Sequence, residues 1–333
     1  MPQLSPETAW SLSKKELVNL LESGFFAPRP HEVRFYAPSF TYYKTQYYCS
    51  SPTSFPTISV TGTSCALNCR HCGGKVLETM HPALLPVELF NLCARLKGDG
   101  AVGCLVSGGC LPNGSVPLDG FIDALGKIKR ELGLTVFVHT GIIKPQTAVA
   151  LKKAGVDAAL IDVLGSAQTI RKALNLSVTP QDYSDSLQAL EKSGLSFMPH
   201  VTVGLNEGKL EGELEALKMI TNVNPSALVI IAFMPIHGTA MEKTAPTKPE
   251  DIAKVLATAR LMFPETPLIL GCMRPKGEAR AKTDVLALKA GVDAIAFPSE
   301  EAIKYAESKD QRFSFSSYCC AQMYFDNAGK NKK

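Results

Sequence analysis

Short apolar stretches alternate with amphipathic stretches along most of the chain. From residue 57 onward, strand-length runs of apolar and β-branched residues recur, and they predict buried strands. The predicted strands are 57–62, 102–107, 135–140, 157–163, 196–203, 227–233, 267–271 and 293–297. Stretches with apolar residues at helical spacing lie between them, at 86–97, 117–132, 145–154, 182–193, 211–221, 249–262 and 281–290. This alternation predicts an α/β fold with a parallel sheet, and eight repeats fit a closed TIM-type barrel.

A short internal repeat supports this prediction. The sequence KAGVDA at 153–158 recurs at 289–294, and in each copy a predicted helix ends at glycine before an apolar strand begins. An open doubly wound sheet is the alternative fold. Its first βα loop would carry G-x-G-x-x-G, whereas here that loop carries cysteines.

Two flanking segments complete the predicted organisation. Residues 1–24 predict a helix with an apolar face that Ser5 or Thr8 caps, and residues 25–56 are rich in Pro, Tyr and Ser and predict an irregular strap. We therefore expect an N-terminal helix and strap over 1–56, the barrel over 57–300, and a C-terminal helix and cysteine-bearing tail over 301–333. The tail is expected to fold over the barrel mouth.

Composition narrows the possible environments. The chain has 333 residues, of which 45% are hydrophobic, and no apolar run approaches the roughly 18 residues that span a membrane. We expect no signal peptide, and the 10 cysteines then indicate metal or redox chemistry in a reducing compartment, which predicts a cytoplasmic protein. The formal charge of +4 and the lack of an arginine and aromatic cluster predict no nucleic-acid partner.

The strongest chemical signal is the spacing C-x3-C-x2-C formed by Cys65, Cys69 and Cys72, directly after the first predicted strand. Thiolates at this spacing suit zinc or an iron–sulfur cluster. A structural zinc site needs a fourth ligand, and a second C-x2-C pair is missing. A four-iron cluster held by three cysteines keeps one iron open for chemistry. A zinc knuckle and incidental cysteines are the alternatives.

This cysteine loop resembles the signature of the radical S-adenosylmethionine superfamily. The resemblance implies that Cys65, Cys69 and Cys72 hold a catalytic [4Fe–4S] cluster whose open iron chelates S-adenosylmethionine. An injected electron would then cleave the sulfonium bond and give a 5′-deoxyadenosyl radical. It also implies that His71, in a position that is often aromatic in the family, lies near the adenine.

Other strand ends carry weaker matches to biotin-synthase-like members of this superfamily. Residues 106–109 resemble the family's GGE segment, with Cys110 in place of the acid, so that the backbone role alone carries over. Residues 200–207 resemble a segment that holds the ribose and methionyl parts, and residues 234–239 resemble a segment near the adenine. His139 and Asp162 end the third and fourth strands, where a structural role is an equal alternative. The predicted cofactor-binding residues are therefore His71, Ser107, Gly108, Gly109, His139, Asp162, His200, Asn206 and Pro235.

A second group of cysteines predicts an auxiliary iron–sulfur cluster. Cys49 lies in the strap, Cys272 follows the seventh predicted strand, and Cys319 and Cys320 lie in the tail, so the four thiols could meet over the barrel mouth. Arg274 would shield or ligate this cluster. Free thiols that bind nothing are the alternative.

Such a cluster resembles the one that biotin synthase and lipoyl synthase sacrifice as a sulfur source. Residues 316–318 also resemble the Ser-Ser-Tyr of bacterial lipoyl synthase, although that enzyme's N-terminal three-cysteine motif is absent. The resemblance is strongest to two-subunit lipoyl synthases, and it implies a sulfurtransferase that inserts sulfur into a protein-bound octanoyl chain. It implies as partners a paralogous radical SAM subunit, a lipoyl-carrier domain, and ferredoxin or flavodoxin. The alternatives are a mutase or rearrangement enzyme of the same superfamily and a non-catalytic iron–sulfur protein.

Overall fold

The computed structural model describes residues 4–26 and 32–323, and one curled parallel sheet organises them. The strands are β1 (Val33–Tyr36), β2 (Thr57–Ser59), β3 (His81–Pro82), β4 (Gly103–Ser107), β5 (Thr135–His139), β6 (Ala158–Asp162), β7 (Phe197–Val203), β8 (Leu228–Ala232), β9 (Leu268–Leu270), β10 (Ala294–Ala296) and β11 (Phe313–Ser316). They are ordered β11-β1-β10-β9-β8-β7-β6-β5-β4-β2-β3 in the sheet.

Helices follow most strands. They are α1 (Pro6–Ser11), α2 (Lys14–Glu22), α3 (Pro86–Gly98), α4 (Ile122–Lys127), α5 (Pro145–Lys153), α6 (Ala167–Leu174), α7 (Pro180–Ser193), α8 (Glu213–Ile220), α9 (Pro249–Met262), α10 (Glu278–Lys289) and α11 (Glu300–Ser308). Short 3₁₀ turns span Lys75–Thr79, Asp119–Phe121 and Cys320–Gln322, and a π-helical turn spans Ile128–Leu132. The fold class predicted from the alternation is confirmed, because the eight predicted strands are β2 and β4–β10.

The expectation of a closed barrel is corrected. Among the described strands β10 pairs with β9 and β1, and β2 pairs with β4 and β3, so the backbone ladder runs from β11 to β3 without joining its ends. Side chains bridge the gap instead. Ser54 Oγ donates to Ser317 O at 3.3 Å, and the Tyr48 hydroxyl donates to Ser317 Oγ at 3.0 Å. The sheet is therefore a half-barrel whose last side is closed by side-chain contacts.

Because side chains alternate along each strand, the buried residues form two layers, one on each face of the sheet. Along β6, Ala159 and Ile161 pack outward against the helices, while Ala158 and Leu160 pack inward. The inward cluster also contains Cys319, Cys320 and other tail residues, which are buried among the strands' inner side chains. The C-terminal tail is thus part of the interior packing of the sheet.

The repeated KAGVDA sequence forms the same junction twice. Asp157 Oδ2 accepts a hydrogen bond from Val136 N at 2.7 Å, and Asp293 Oδ2 accepts one from Leu268 N at 2.7 Å. Each aspartate thereby caps an amide at the start of the neighbouring strand and also pairs with a cation, Lys129 or Arg260. The prediction that each copy of the repeat marks a junction between a helix and a strand is confirmed.

Several boundaries differ from the sequence-based expectations. The predicted helix over 1–24 is two helices, because Ser13 forms a capping box with Glu16 and starts α2 afresh. The strap predicted as irregular contributes β1, which pairs in parallel with β10 and β11. The tail contributes β11, and α6 was not predicted at all. The division of the chain into three segments stays a prediction.

No helix within residues 4–26 and 32–323 combines the length and apolar character that crossing a membrane requires.

Candidate active site

The cysteine loop is held against the end of β4. Gly109 N donates to Thr61 Oγ1 at 2.7 Å, and Ala66 N donates to Cys110 O at 2.9 Å. A Cβ atom on Gly109 would lie 2.0 Å from Ser64 O, so any other residue would push the loop away. The glycine predicted to approach a ligand therefore also has a packing reason. Gly108 is similar, because a Cβ atom there would meet the Thr61 side chain at 3.1 Å.

The loop brings its thiols together with Cys110. Cys110 N donates to Cys65 Sγ at 3.3 Å, and the thiol of Cys69 donates to Leu174 O at 3.2 Å. A hydrogen bond from Cys69 lowers the pKa of Cys72 to about 6, while the same contact and burial raise the pKa of Cys69. Amide and thiol donors directed at sulfur favour the thiolate form, which is the form that binds metal.

Support for the loop comes from a helix that the sequence analysis missed. Besides Leu174 O, the end of α6 supplies Asn175 Nδ2, which donates to Leu67 O at 3.0 Å. Asn175 and Asn68 both have positive φ, 53° and 44°, a conformation that asparagine tolerates better than most residues. The signal for α6 was Ser166, whose hydroxyl caps the helix by accepting from Thr169 N.

Three predicted residues meet on the inward face of the sheet, where His139 and Asp162 end β5 and β6 and His200, in the middle of β7, pairs in register with Asp162. His139 Nε2 lies 3.8 Å from Asp162 Oδ2, and the His139 and His200 rings are 5.9 Å apart in a T-shaped arrangement. Burial lowers the pKa of His200 to about 4, although Asp162 opposes this, and His200 Nδ1 lies 3.0 Å from Met198 O. His200 is therefore neutral at pH 7.

The remaining predicted residues surround this group. His71 is buried, with its ring 5.5 Å from that of Phe233 at the end of β8, and its Nε2 has no hydrogen-bond partner. Ser107 O accepts from Val60 N at 2.8 Å, Pro235 is half-buried after β8, and Asn206 donates to Glu211 Oε2. The binding roles of these residues stay predictions.

Two family models match the chain. Residues 59–218, from β2 to α8, match the Radical SAM superfamily, and residues 230–317 match the Biotin and Thiamin Synthesis associated domain. The first match begins just before the cysteine loop and includes all three of its thiols. The chain belongs to the radical SAM superfamily, and within it to the biotin-synthase-like group.

Curated relatives of this radical SAM enzyme are biotin synthases. Those of Prochlorococcus marinus and Bacillus subtilis are 26% identical to it over 181 and 210 residues, which are 54% and 60% of this chain. The alignments span 53% and 60% of those relatives' own length. The biotin synthase of Neorickettsia sennetsu is 26% identical over 261 residues, 75% of this chain and 77% of that relative.

Solved structures share the fold of this radical SAM enzyme. Methylornithine synthase superposes with a TM-score of 0.63 over 94% of each chain, at 16% identity. A maturase of the [FeFe]-hydrogenase superposes with a TM-score of 0.65 over 99% of this chain and 77% of its own, also at 16% identity.

Radical SAM enzymes use a [4Fe–4S] cluster and S-adenosylmethionine, and these are the cofactors of this chain. The loop fits a cluster held by Cys65, Cys69 and Cys72, because Cys110 N is directed at the Cys65 sulfur and the side chains of Cys69 and Cys72 are within hydrogen-bonding reach of each other. No three His, Cys, Asp or Glu side chains within 4–26 and 32–323 form a site for a single metal ion. The cysteines of a four-iron cluster bind separate irons and do not need to converge on one point.

The second cysteine group is assembled in part. Cys319 and Cys320 are buried, and their side chains hydrogen-bond to each other, which lowers the pKa of Cys319. Burial and, to a smaller extent, Cys319 raise the pKa of Cys272 to about 11, and Cys272 packs against the same inward cluster that contains Cys319 and Cys320. Cys49 differs, because it is exposed and its nearest hydrogen-bond contact is Ser50 O at 3.9 Å.

Arg274 has a structural role that excludes the ligand role expected from the sequence. Its side chain is completely buried, and Nε and Nη2 donate to the two carboxylate oxygens of Asp284 at 2.7 and 2.8 Å. The other donors reach Gly271 O, Ala296 O and Phe297 O. All five N–H groups of the guanidinium are therefore used within the protein.

Two glutamates near the site were not predicted. Glu213 Oε1 accepts from Gly204 N at 2.7 Å, and burial raises the pKa of Glu213 to about 7. Glu211 binds Asn206 and Ser166. In the sequence, Glu211 and Glu213 resemble ordinary acidic residues at the start of a surface helix. Nothing in the sequence therefore indicated that their side chains make inward contacts.

Proposed function

We propose that this radical SAM enzyme inserts sulfur into an unactivated C–H bond, and that its substrate is a protein-bound octanoyl chain, as in a lipoyl synthase subunit. The observation that carries the proposal is the group formed by Cys272, Cys319 and Cys320. A sulfur-inserting enzyme needs a sulfur source close to the radical, and thiols from a strand end and from the tail supply ligands for a second cluster.

The neighbourhood of these thiols suits an apolar substrate. Cys319 and Cys320 belong to the same buried, mostly apolar cluster as inward-facing residues of the sheet such as Phe137, Leu160 and Met198. An alkyl chain gains favourable burial in such surroundings, and exclusion of water protects a radical.

Different residues of the chain would have different roles in this reaction. The reductive cleavage of bound S-adenosylmethionine supplies a 5′-deoxyadenosyl radical that removes a hydrogen atom from the substrate. Cys65, Cys69 and Cys72 would hold the cluster that delivers the electron, and neutral His200 with His139 and Asp162 would form the polar part of the site. Cys272, Cys319 and Cys320 would hold the second cluster, whose sulfide would be the sulfur source.

The proposed reaction requires partners that the chain does not contain. A carrier domain would present the octanoyl chain, ferredoxin or flavodoxin would supply electrons, and a paralogous subunit would insert the other sulfur atom. A cytoplasmic location stays a prediction that fits these partners.

Iron and sulfide analysis tests the proposal. Protein reconstituted without oxygen should bind about eight irons per chain, enough for two four-iron clusters, and about four after Cys319 and Cys320 are both changed to Ala. The wild-type protein should convert an octanoyl-lysine peptide to a product one sulfur heavier, and the double variant should still cleave S-adenosylmethionine without adding sulfur. About four irons in the wild-type protein would refute the second cluster and favour a rearrangement enzyme instead.

The cysteine loop provides the matched control. Changing Cys65, Cys69 and Cys72 to Ala should abolish cleavage of S-adenosylmethionine. If cleavage persisted in this variant, the assignment of the radical chemistry to the loop would be wrong.

A further inference from the structure

The loops that follow β6 and β7 meet at the carboxylate of Glu211. Ser166 Oγ, at the start of α6, donates to Glu211 Oε1 at 2.7 Å, and Asn206 Nδ2, in the loop after β7, donates to Glu211 Oε2. One carboxylate thus joins two adjacent βα loops at the end of the sheet where the active site lies. Hydrogen bonds to an ionised acceptor are about twice as strong as neutral ones.

The backbones of these two loops are closely packed against each other. A Cβ atom on Gly165 would lie 2.2 Å from Gly212 O, and Thr169 Oγ1 donates to Glu211 O at 3.4 Å. The start of the β7 loop is fixed as well, because Gly204 N donates to Glu213 Oε1. The segment from 204 to 213 is therefore held at both ends, and Glu211 fixes the side chain in its middle.

The contact also determines how the Asn206 amide is used. An amide group has two donors on Nδ2 and an acceptor on Oδ1. Because Nδ2 faces the Glu211 carboxylate, Oδ1 is the atom left to accept a hydrogen bond from a ligand. The donors that S-adenosylmethionine offers to such an atom are its ribose hydroxyls, its adenine amino group and its ammonium group.

We propose that Glu211 is a positioning residue that orients Asn206 Oδ1 toward the donor groups of bound S-adenosylmethionine and couples this contact to the loop that starts α6. The inference rests on the part of the proposed function in which this site binds S-adenosylmethionine, and it is independent of sulfur insertion. Glu211 itself touches no reacting atom, so its loss weakens binding and leaves the chemical step nearly intact.

The test uses the full chain, reconstituted without oxygen, and measures S-adenosylmethionine binding by titration calorimetry together with KM and kcat for 5′-deoxyadenosine formation. Glu211→Ala should raise Kd and KM about tenfold, the loss expected for a charge-assisted hydrogen bond, with kcat within about twofold of wild type. Glu215→Ala, an exposed glutamate on α8, is the matched control and should change neither constant. Wild-type Kd and KM in Glu211→Ala would overturn the proposal.

Two further variants separate positioning from general stability. Glu211→Gln should recover most of the affinity, because its amide oxygen accepts from Asn206 and its Nε2 donates to the Ser166 hydroxyl. Asn206→Asp places two carboxylates together and should weaken binding, and adding Glu211→Gln should restore it by reversing the donor and acceptor. Failure of the double variant to exceed Asn206→Asp would contradict the proposal even if Glu211→Ala does not fold.

These outcomes are distinct from failure of the proposed function. If the wild-type protein bound no S-adenosylmethionine, the radical assignment itself would fail. If it bound and cleaved S-adenosylmethionine without inserting sulfur, the Glu211 comparison would still be decisive.

Discussion

The cysteine loop and the tail cysteines both gather three thiols, but they do so by different means. Cys65, Cys69 and Cys72 lie within one loop, fixed by backbone hydrogen bonds to Cys110 and to the end of α6. Cys272 meets Cys319 and Cys320 because the tail packs into the interior of the sheet. The first group is a local structure on a scaffold, whereas the second exists only when distant segments are docked.

The two regions also differ in how completely their buried polar atoms are hydrogen-bonded. His71 Nε2, in the cysteine loop, and Glu213 Oε2, at the start of α8, are buried without partners, which is costly unless a ligand or water satisfies them. Near Cys272, the Arg274 guanidinium uses every donor, although the neighbouring Arg280 leaves its Nε unpaired. His71 and Glu213 therefore each have a buried atom that could still form a hydrogen bond. The Arg274–Asp284 ion pair near Cys272, in contrast, serves the structure of the protein.

The largest effect is expected from breaking the Arg274 pair. Arg274→Met leaves Asp284 buried and unpaired, and it should lower the free energy of unfolding by about 3–5 kcal/mol. Denaturant titration measures this change, and Arg280→Met, in a partly exposed position, should cost much less. Equal losses in the two variants would mean that the Arg274 pair is no more structural than its neighbour.

An intermediate effect on the free energy of unfolding is expected when Glu213 is replaced. The pKa of Glu213 is raised from 4.5 to about 7. Between pH 4.5 and 7 the folded state then binds more protons than the unfolded state, so this carboxyl's contribution to stability is present below pH 4.5 and lost as the pH rises to 7. Glu213→Gln keeps an acceptor for Gly204 N and removes the titration. Relative to wild type, it should gain up to about 3 kcal/mol between pH 4.5 and 8.

The difference between the two proteins is the quantity to measure, by denaturant titration across that pH range. His200 contributes with the opposite sign, because its lowered pKa of about 4 makes its contribution disappear as the pH falls below 6.5. Both proteins contain His200, so its effect cancels. A difference that is flat with pH would show that Glu213 is ionised in the folded state as it is in the unfolded chain.

The smallest effect is expected at His71. In the cofactor-free chain, His71→Phe should raise the free energy of unfolding by about 1 kcal/mol, because it removes an unpaired buried nitrogen and keeps the packing on Phe233. Thermal unfolding with and without S-adenosylmethionine measures the change. A destabilised cofactor-free variant would show that the imidazole nitrogen is satisfied within the protein.

The sequence was most informative where structure is local. The strand alternation, the KAGVDA junctions and the cysteine spacing each depend on a few neighbouring residues, and the fold class followed from them. The open side of the sheet did not, because it depends on β1 pairing with both β10 and β11, which lie at the other end of the chain. The Phe-Ser alternation at 313–316 was a signal for β11 that the sequence analysis left unused.

The same distinction between local and long-range structure applies to the candidate site. Residues on the strands, such as His139, Asp162 and His200, could be placed on one face once the strands were known. Glu211 and the end of α6 could not, because their roles arise from contacts between loops. Arg274 was misjudged because its position beside a cysteine suggested a ligand, whereas only the tertiary structure reveals the carboxylate that occupies it.

The side-chain bridge from Tyr48 and Ser54 to Ser317 has a mechanical consequence. Parting it would break hydrogen bonds and ring contacts of a few residues and leave every strand pair of the described chain intact. The half-barrel therefore has a lateral seam that is held by side chains and by no strand ladder. Because Cys319 and Cys320 follow Ser317 within three residues, parting this seam would also move them away from Cys272.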